Sequence, residues 1–346
     1  MRPTVNDIAR EAGVSLATVD RVLNARPGVR DKTIRAVTEA ISKLGYVRDI
    51  AAANLARSRS YKMAFVLPDT ESQFVQTLAA ALDGAGAQAA TARTEVVLVR
   101  CPPEDPHALA ALLAGLPAQG VAGVALMAPE TPVLRDAIRA LRAKGLAVVA
   151  LVSDLPNSDR DHFVGIDNRA AGRTAAVLMG RFLGRDVGRV MVLAQSLLLR
   201  DSAERRLGFD EVLQRDFPQV EAMQTLEAHG NSATLRAVVT EMLASTPGIT
   251  GIYVLGGGMR ALTAVLDDLC LTGKLVVIGH ELTPHARSAL LAGQIDAVIS
   301  QNTGHLARSA LRILRARADR MPIDVSQEQI RIDIVLRENL ATQGEA

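Results

Sequence analysis

The fold of the amino-terminal part is decided by one stretch, T-V-N-D-I-A-R-E-A-G-V-S-L-A-T-V-D-R-V-L-N, residues 4–24. Thr4, followed three residues later by Asp7, has the spacing of a capping box, which predicts that a helix begins there. Gly13 is placed to end this helix, because glycine adopts the left-handed conformation at least cost. Ser15 is placed to cap a second helix after a short turn. Two short helices joined by a glycine-containing turn predict a helix-turn-helix, a structure that binds DNA.

The second predicted helix has an apolar face and an opposite face suited to DNA. On a helical wheel at about 100° per residue, Val19, Val22 and Leu23 lie on the core side. Arg21 lies on the other side and is the candidate base reader, because a guanidinium pairs with two acceptors of guanine. The remaining candidates for base or phosphate contact are Ser15, Leu16, Ala17, Thr18, Asp20 and Asn24. A third helix is predicted over residues 31–44, whose apolar face consists of Ile34, Val37, Ile41 and Leu44.

Asp20 is unexpected on a face that should meet phosphates, because its carboxylate repels them and weakens non-specific attraction. Three interpretations stay open for this side chain. It accepts a hydrogen bond from a cytosine amino group, it orients Arg21 or Arg26, or it remains in solvent at the edge of the groove.

Charge is unevenly distributed along the chain of 346 residues. Residues 1–60 hold eleven basic and six acidic side chains, a surplus of five positive charges, whereas the whole chain has a net charge of +2. The remainder is therefore slightly acidic, with a net charge of −3. A basic amino-terminal part on a slightly acidic body indicates that this part meets a polyanion.

The amino-terminal motif resembles the DNA-binding head of the LacI/GalR family of transcriptional regulators. The pattern D-I-A-x-x-A-G-V-S-x-x-T-V-x-R-V-x-N occupies residues 7–24, and the likeness runs from Thr4 to about Leu55 through V-R-D-K-T and L-G-Y. The resemblance implies further DNA contacts from Thr4, Val5, Val29, Thr33 and Tyr46. In this family two hinge helices form when two subunits meet on the operator. Leu55 is then the expected minor-groove wedge, with Ala52 one turn before it.

From Tyr61 onward, short apolar runs alternate with helical patterns. The runs occupy residues 62–68, 95–100, 121–127, 146–152, 162–166, 189–194, 249–255, 275–279 and 296–300. Runs rich in Val, Ile and Leu between helices predict parallel sheets covered on both faces. At this length the pattern favours a small all-α helix-turn-helix head followed by an α/β core with two lobes, each a doubly wound parallel sheet.

Ligands of doubly wound sheets bind at the carboxyl ends of the strands, and the residues that follow these runs are mostly polar. Buried polar side chains suit a sugar or polyol, because every hydroxyl of such a ligand needs a partner. Phe74 is placed to cover one face of a sugar ring. The candidate ligand-binding residues are Phe74, Ser153, Asp154, Asp167, Asn168, Arg205, Gly257, Glu281 and Gln301.

The body resembles the periplasmic-binding-protein-like core that LacI/GalR regulators carry. R-R-L-G-F, residues 205–209, matches the family's R-x-x-G-F, whose arginine contacts the effector, so Arg205 is the leading candidate. Gly257 and Gly258 stand where many members have Asn-Asp, and the absence of those side chains removes polar contacts.

The expected organisation divides the chain into a head, a linker, a two-lobed core and a tail. The expected boundaries are 1–46 for the head, 47–60 for the hinge linker, 61–340 for the core and 341–346 for the tail. Within the core, the expected first lobe is 61–165 with 296–323, and the expected second lobe is 166–295 with 324–340.

Two alternatives are weaker. Gly256–Gly258 after a strand could indicate an α/β enzyme with a nucleotide cofactor, but the spacing is not G-x-G-x-x-G and the basic head would be unexplained. A sugar-binding protein of transport type would need a signal peptide and would lack the head. The sequence shows no nucleophile–base pair, and its two cysteines have no metal-binding spacing. We therefore expect no enzyme activity, no metal and no cofactor.

The remaining expectations concern partners and location. The chain has no run of 18 apolar residues, so no membrane span is expected. The two distant cysteines, Cys101 and Cys270, are typical of a reducing compartment, which predicts a cytoplasmic protein. The expected partners are a pseudo-palindromic double-stranded DNA operator, a sugar or polyol effector, and a second copy of the chain in a homodimer.

Overall fold

The structure is a computed structural model, and it describes residues 3–23, 27–44, 60–91, 93–103 and 105–340. These residues belong to two compact units, Met1–Arg59 and Ser60–Ala346. Four of the candidate DNA-binding residues, Asn24, Tyr46, Ala52 and Leu55, lie outside the described part.

The described part of the first unit contains the three helices expected from the sequence, α1 (Val5–Ala12), α2 (Leu16–Leu23) and α3 (Asp31–Leu44). The capping box of α1 is complete, because the Asp7 amide donates to the Thr4 hydroxyl and the Thr4 amide donates to the Asp7 carboxylate at 2.8 Å. Gly13 ends α1 with a φ of 61°. The core of this unit is made by Ile8, Val19, Val37 and Ala40.

One prediction for this unit is wrong. Ile34 was expected on the buried face of α3, but it is 39% exposed. The buried stripe of α3 begins one turn later, at Val37 and Ala40, because these are the positions that meet the other two helices.

The second unit begins with a five-stranded parallel sheet of order β2-β1-β3-β4-β5. Its central strands are buried on both faces, as their continuous apolar sequence predicts. The strands are β1 (Tyr61–Pro68), β2 (Thr94–Cys101), β3 (Val121–Leu126), β4 (Ala147–Leu151) and β5 (His162–Val164). The helices between them are α4 (Gln73–Ala90), α5 (Pro106–Gly115) and α6 (Pro132–Ala143), with a 3-10 turn at Leu116–Gln119.

A six-stranded sheet of order β11-β10-β9-β8-β6-β7 forms the second lobe. Its strands are β6 (Gly188–Ala194), β7 (Val220–Glu227), β8 (Ile249–Val254), β9 (Val276–His280), β10 (Ala297–Ser300) and β11 (Asp333–Val335). The helices that follow β5 along the chain are α7 (Asn168–Leu183), α8 (Arg200–Asp216), α9 (Ser232–Ser245), α10 (Met259–Asp268), α11 (Pro284–Leu291), α12 (Thr303–Ala318) and α13 (Val325–Glu328). A 3-10 turn follows at Arg337–Asn339.

Two strands of the second sheet were not predicted from the sequence. β7 is an edge strand with the sequence V-E-A-M-Q-T-L-E, in which polar residues interrupt the apolar ones, so it has no continuous apolar run. β11 has three residues and pairs antiparallel with β10, so the second sheet is not wholly parallel.

The expected lobe boundaries are also corrected by the structure. Residues 296–300 were assigned to the first lobe, but β10 pairs with β9 in the second sheet, where its apolar side chains are buried. The chain crosses to the first lobe only after Ser300, and α12 then packs on β3 and β4. The return was expected at residue 324. It comes later, because Glu328 of α13 still bonds to Ser309 and Arg312 of α12.

Helices α7 and α8 pack closely enough to place Arg205 in the interior. A Cβ atom added to Gly208 would lie 2.0 Å from the backbone oxygen of Arg169, and one added to Gly172 would lie 2.0 Å from that of Arg205. Only glycine allows this approach of two helix backbones. None of the helices in the described residues is long and apolar enough to cross a lipid bilayer.

Candidate functional site

The outer face of α2 is the candidate nucleic-acid interface. Ala17 and Arg21 are exposed and Leu16 is 50% exposed, as the helical wheel predicts, whereas Val19 is fully buried. Asp20 is half-buried. The face therefore presents a basic side chain beside two small or apolar ones, which is suited to contact with base edges in a groove.

Two hydroxyl groups at the start of α2 are held by each other. The Ser15 hydroxyl accepts from the Thr18 amide at 3.2 Å, and the two side-chain oxygens lie 2.9 Å apart. Thr4 is exposed, and its hydroxyl donates to Asp7 at 2.7 Å. Capping thus fixes the positions of polar groups that phosphates could contact. Val5, Val29 and Thr33 are half-buried.

Arg205 is the centre of the second candidate site, in the core. Its side chain is 2% exposed, and each of its three nitrogens donates a hydrogen bond. Nε donates to Asn168 Oδ1 at 2.9 Å, one terminal nitrogen to the Leu255 carbonyl at 2.7 Å, and the other to Glu281 Oε1 at 3.2 Å. A buried guanidinium is stable only with such partners.

Glu281 connects this arginine to Gln301, whose Nε2 donates to Glu281 Oε1 at 2.9 Å. The structure thus brings together four of the predicted residues, Asn168, Arg205, Glu281 and Gln301, although they are far apart in sequence. All four are buried, and they lie after strands or on the helix that follows. We call them the polar network.

Burial raises the pKa of the Glu281 carboxyl above its ordinary value, and the neighbouring Arg205 opposes this rise. The backbone of Glu281 has a φ of 70°, a left-handed conformation that costs a residue with a side chain of order 1 kcal/mol or more. Strain of this kind in a buried ionisable residue is typical of a functional site.

A cavity of about 210 Å³ adjoins the polar network. One wall comes from α4 of the first lobe through Phe74 and Thr77. The other walls come from the loop after β9, the start of α12 and strand β11. The lining residues on these walls are Glu281, Leu282, Thr283, Ser300, Gln301, Asn302, Thr303, Asp333 and Val335. The cavity therefore lies between the two lobes, where a ligand would touch both.

Several polar contacts join the two lobes. Arg200 of α8 lies 3.4 Å from Glu130, which follows β3, and also donates to Glu204 at 2.7 Å. The Asp201 amide donates to the Ser153 hydroxyl at 3.3 Å, and the His285 amide donates to the Gln73 side chain at 3.3 Å. These contacts hold the lobes together by polar groups, which a bound ligand can supplement.

Some predicted ligand-binding residues have other roles in the structure. Asp154 forms an ion pair with Arg160. Asp167 is exposed and accepts from the Ala170 amide as the N-cap of α7. Gly257 is exposed, and an added Cβ would lie 3.3 Å from Gln195 Oε1. Ser153 is buried, and its hydroxyl accepts the interlobe bond described above. None of these four residues is among those that line the cavity.

Sequence reasoning missed several residues at the site. Asp201 lies four residues before Arg205 on α8, with a carboxylate oxygen 3.9 Å from the guanidinium, so its i,i+4 spacing was a usable signal. Asp333 belongs to β11, and that strand itself was not predicted. Thr283 and Asn302 are helix N-caps that also line the cavity.

Behind the polar network, Tyr253 and His280 form a buried hydrogen-bonded pair, with 2.8 Å between the hydroxyl and Nε2. Burial, with help from Arg205, holds the pKa of His280 well below its ordinary range, and burial raises the pKa of Tyr253. Both rings are therefore neutral. Within the described residues no three His, Cys, Asp or Glu side chains are grouped as metal ligands would be.

The chain is similar to known proteins in two separate regions. Residues 4–49 match the family of bacterial regulatory proteins called lacI, and residues 63–320 match the periplasmic binding protein domain. Catabolite control protein A of Streptococcus mutans is 29% identical over 178 residues, which is 51% of each chain. The regulator RegA of Clostridium saccharobutylicum is 45% identical over 74 residues, 21% of this chain and 22% of that one. The matches thus span about a fifth to a half of these relatives.

Solved structures show the same fold for the core. A solute-binding protein from Burkholderia graminis, solved with D-arabinose, superposes with a TM-score of 0.72 at 22% identity, covering 81% of this chain and 96% of that one. A putative LacI transcriptional regulator from Bacteroides fragilis superposes with a TM-score of 0.70 at 16% identity, covering 81% and 98%. The predicted fold class, a helical head with a two-lobed α/β core, is confirmed.

Proposed function

Because the chain belongs to the lacI family of bacterial regulatory proteins and carries a periplasmic binding protein domain as its core, we propose that it regulates transcription in response to a small molecule. The amino-terminal unit binds a DNA operator. The core binds a sugar or polyol between its lobes, and this binding changes the affinity for the operator.

One observation carries the effector part of this proposal. Two buried oxygen atoms of the polar network, Glu281 Oε2 and Gln301 Oε1, and one of the adjoining Asp201, Oδ1, have no hydrogen-bond partner among the described residues. Buried polar atoms are almost always hydrogen-bonded, so atoms left without a partner indicate a missing one. A ligand with several hydroxyl groups supplies these hydrogen bonds.

The exposed face of α2 supports the DNA-binding part. Arg21 reads guanine, and the hydroxyls of Ser15 and Thr18 set the register on the phosphates. Thr4, Val5, Val29, Thr33, Asn24 and Tyr46 add contacts, and Leu55 with Ala52 enters the minor groove. Two copies of the chain form a homodimer in the cytoplasm and read a pseudo-palindrome.

The test measures operator affinity by fluorescence anisotropy with and without a sugar that raises the melting temperature of the protein. Coupling between two sites is reciprocal, so the sugar and the operator must change each other's affinity by the same factor. The expected result is a change of about fivefold or more in both directions. An operator affinity that is identical with and without the sugar would refute the proposed regulation.

A further inference from the structure

The three atoms without a partner in the polar network and the adjoining Asp201 have the same chemistry, because each is a hydrogen-bond acceptor. Two are carboxylate oxygens, Asp201 Oδ1 and Glu281 Oε2. The third is Gln301 Oε1, and the orientation of this amide is fixed because its Nε2 donates to the Glu281 carboxylate. Glu281 and Gln301 line the cavity, so a ligand that satisfies their free oxygens must present hydrogen-bond donors.

Both ionisable side chains that line the cavity are acidic. The ionisable side chains among its lining residues are Glu281 and Asp333. Arg205 stands next to Glu281, but its nitrogens are committed to the polar network and its side chain is 2% exposed. Asp201 also lies near Arg205, at 3.9 Å. The positive charge of Arg205 is therefore balanced by the two buried acids, and Asp333 adds a further negative charge.

Helix termini supply the only opposing effect among the lining residues. α4, α11 and α12 begin at the cavity, and a helix amino terminus carries about half a positive charge. At two of them a side chain already caps the helix, because Thr283 accepts from Ala286 and Asn302 accepts from His305. A phosphate group carries a charge of about −1.5 to −2 at pH 7. The full negative charges of the carboxylates at the cavity would repel it. The hydroxyl oxygens of a neutral ligand can accept hydrogen bonds from the backbone amides at these helix termini, and the carboxylates do not repel such a ligand.

We propose that the cavity selects polyhydroxy ligands that are uncharged or positively charged, and that it excludes their phosphorylated and other anionic forms. This inference rests on the proposed sugar or polyol effector. The ligand donates hydroxyl or ammonium hydrogens to Glu281 and Gln301. Asp333, which is exposed on β11 at the cavity, repels an approaching anion.

The test uses the full-length protein and sets of matched ligands. Each set contains one sugar, its amino form and its phosphate ester, for example glucose, glucosamine and glucose 6-phosphate, or galactose, galactosamine and galactose 1-phosphate. Mannitol is paired with mannitol 1-phosphate. Thermal unfolding is recorded with each compound at pH 7, and every compound that raises the melting temperature is titrated by calorimetry.

The expected result is that a neutral or amino member of at least one set raises the melting temperature while its phosphate ester binds at least tenfold more weakly. A phosphate ester that binds as tightly as its parent sugar would overturn the inference but leave the proposed function standing. If no member of any set binds, the proposed effector class is wrong, and the inference is rejected with it.

Two variants that each remove one negative charge distinguish the effect of charge on ligand selectivity from the effect of cavity shape. Asp333→Asn keeps the size of the side chain, and Glu338→Gln is the matched control because Glu338 is an exposed acid that does not line the cavity. Asp333→Asn should reduce the ratio between the affinities for the sugar and its phosphate ester by about threefold or more. Glu338→Gln should leave this ratio unchanged. Equal ratios in wild type and Asp333→Asn would overturn the role of this charge.

Discussion

The guanidinium of Arg205 lies 3.2 Å from a carboxylate oxygen of Glu281, and their side chains are 2% and 10% exposed. The pair links α8 to the loop after β9, and Gln301 joins it from the crossover to the first lobe. A ligand that contacts Glu281 or Gln301 therefore acts on a network that reaches both the interior and the junction of the lobes.

Removing the Arg205 side chain should lower the stability of the protein. Arg205→Ala leaves the carboxylate of Glu281 buried without its partner, which should lower the free energy of unfolding by about 3–5 kcal/mol. Urea unfolding measures this loss. Arg169→Ala is the control, because its ion pair with Glu211 is exposed and should contribute less than about 1 kcal/mol. Equal losses of unfolding free energy in the two variants would show that the buried pair of Arg205 and Glu281 stabilises the protein no more than an exposed ion pair does.

The raised pKa of Glu281 predicts a pH dependence. The folded protein holds a proton on this carboxyl at a higher pH than the unfolded chain, so its contribution to stability is present at low pH and is lost as pH rises through the raised pKa. The difference in unfolding free energy between wild type and Glu281→Gln should therefore change in favour of the variant as pH rises above the ordinary pKa of a glutamate carboxyl. A difference that is constant with pH would contradict the raised pKa.

The close approach of α7 and α8 predicts a strong effect of one added methyl group. Gly208→Ala should be destabilised by about 1–3 kcal/mol or more, because its Cβ would overlap the backbone of Arg169. Gly84→Ala is the matched control in α4, where an added Cβ meets no atom within 4 Å, and it should be neutral or stabilising. Thermal unfolding compares the two. A tolerated alanine at position 208 would mean that the helices separate without cost.

The ion pair between Glu130 and Arg200 predicts an effect on lobe closure. Glu130→Gln should change stability by less than about 1 kcal/mol, because Arg200 is partly exposed. It should nevertheless increase hydrogen exchange at the amides around the junction, which include that of Asn157, now bonded to Glu130 at 3.2 Å. Glu221→Gln removes an ion pair within one lobe and should not change exchange there. Identical hydrogen exchange at the junction in both variants would show that Glu130 does not hold the lobes together.

The sequence was most informative where a local pattern decides the structure. Thr4, Asp7, Gly13 and Ser15 predicted the helix boundaries of the first unit, because caps depend on neighbouring residues. Apolar runs predicted nine strands, because a run is also a property of neighbouring residues. β7 and β11 were missed because β7 carries no continuous apolar run and a strand of three residues carries no period.

The site was only partly predictable. Arg205, Asn168, Glu281 and Gln301 were singled out because they follow strands or match a motif, and the structure joins them. That Asp154 pairs with Arg160 rather than turning to the cavity depends on tertiary contacts, which a linear pattern does not contain. The same holds for the crossover after Ser300, because the position of β10 is decided by pairing with β9.

The face of α2 is proposed to read DNA sequence, and this claim can be tested by selecting bound DNA fragments from a random pool. The wild-type chain and Arg21→Ala are each used to select fragments, which are then sequenced. We expect that wild type enriches an inverted repeat and that Arg21→Ala enriches none. The same repeat enriched by both proteins would contradict the role of Arg21, and no enrichment by wild type would contradict the claim itself.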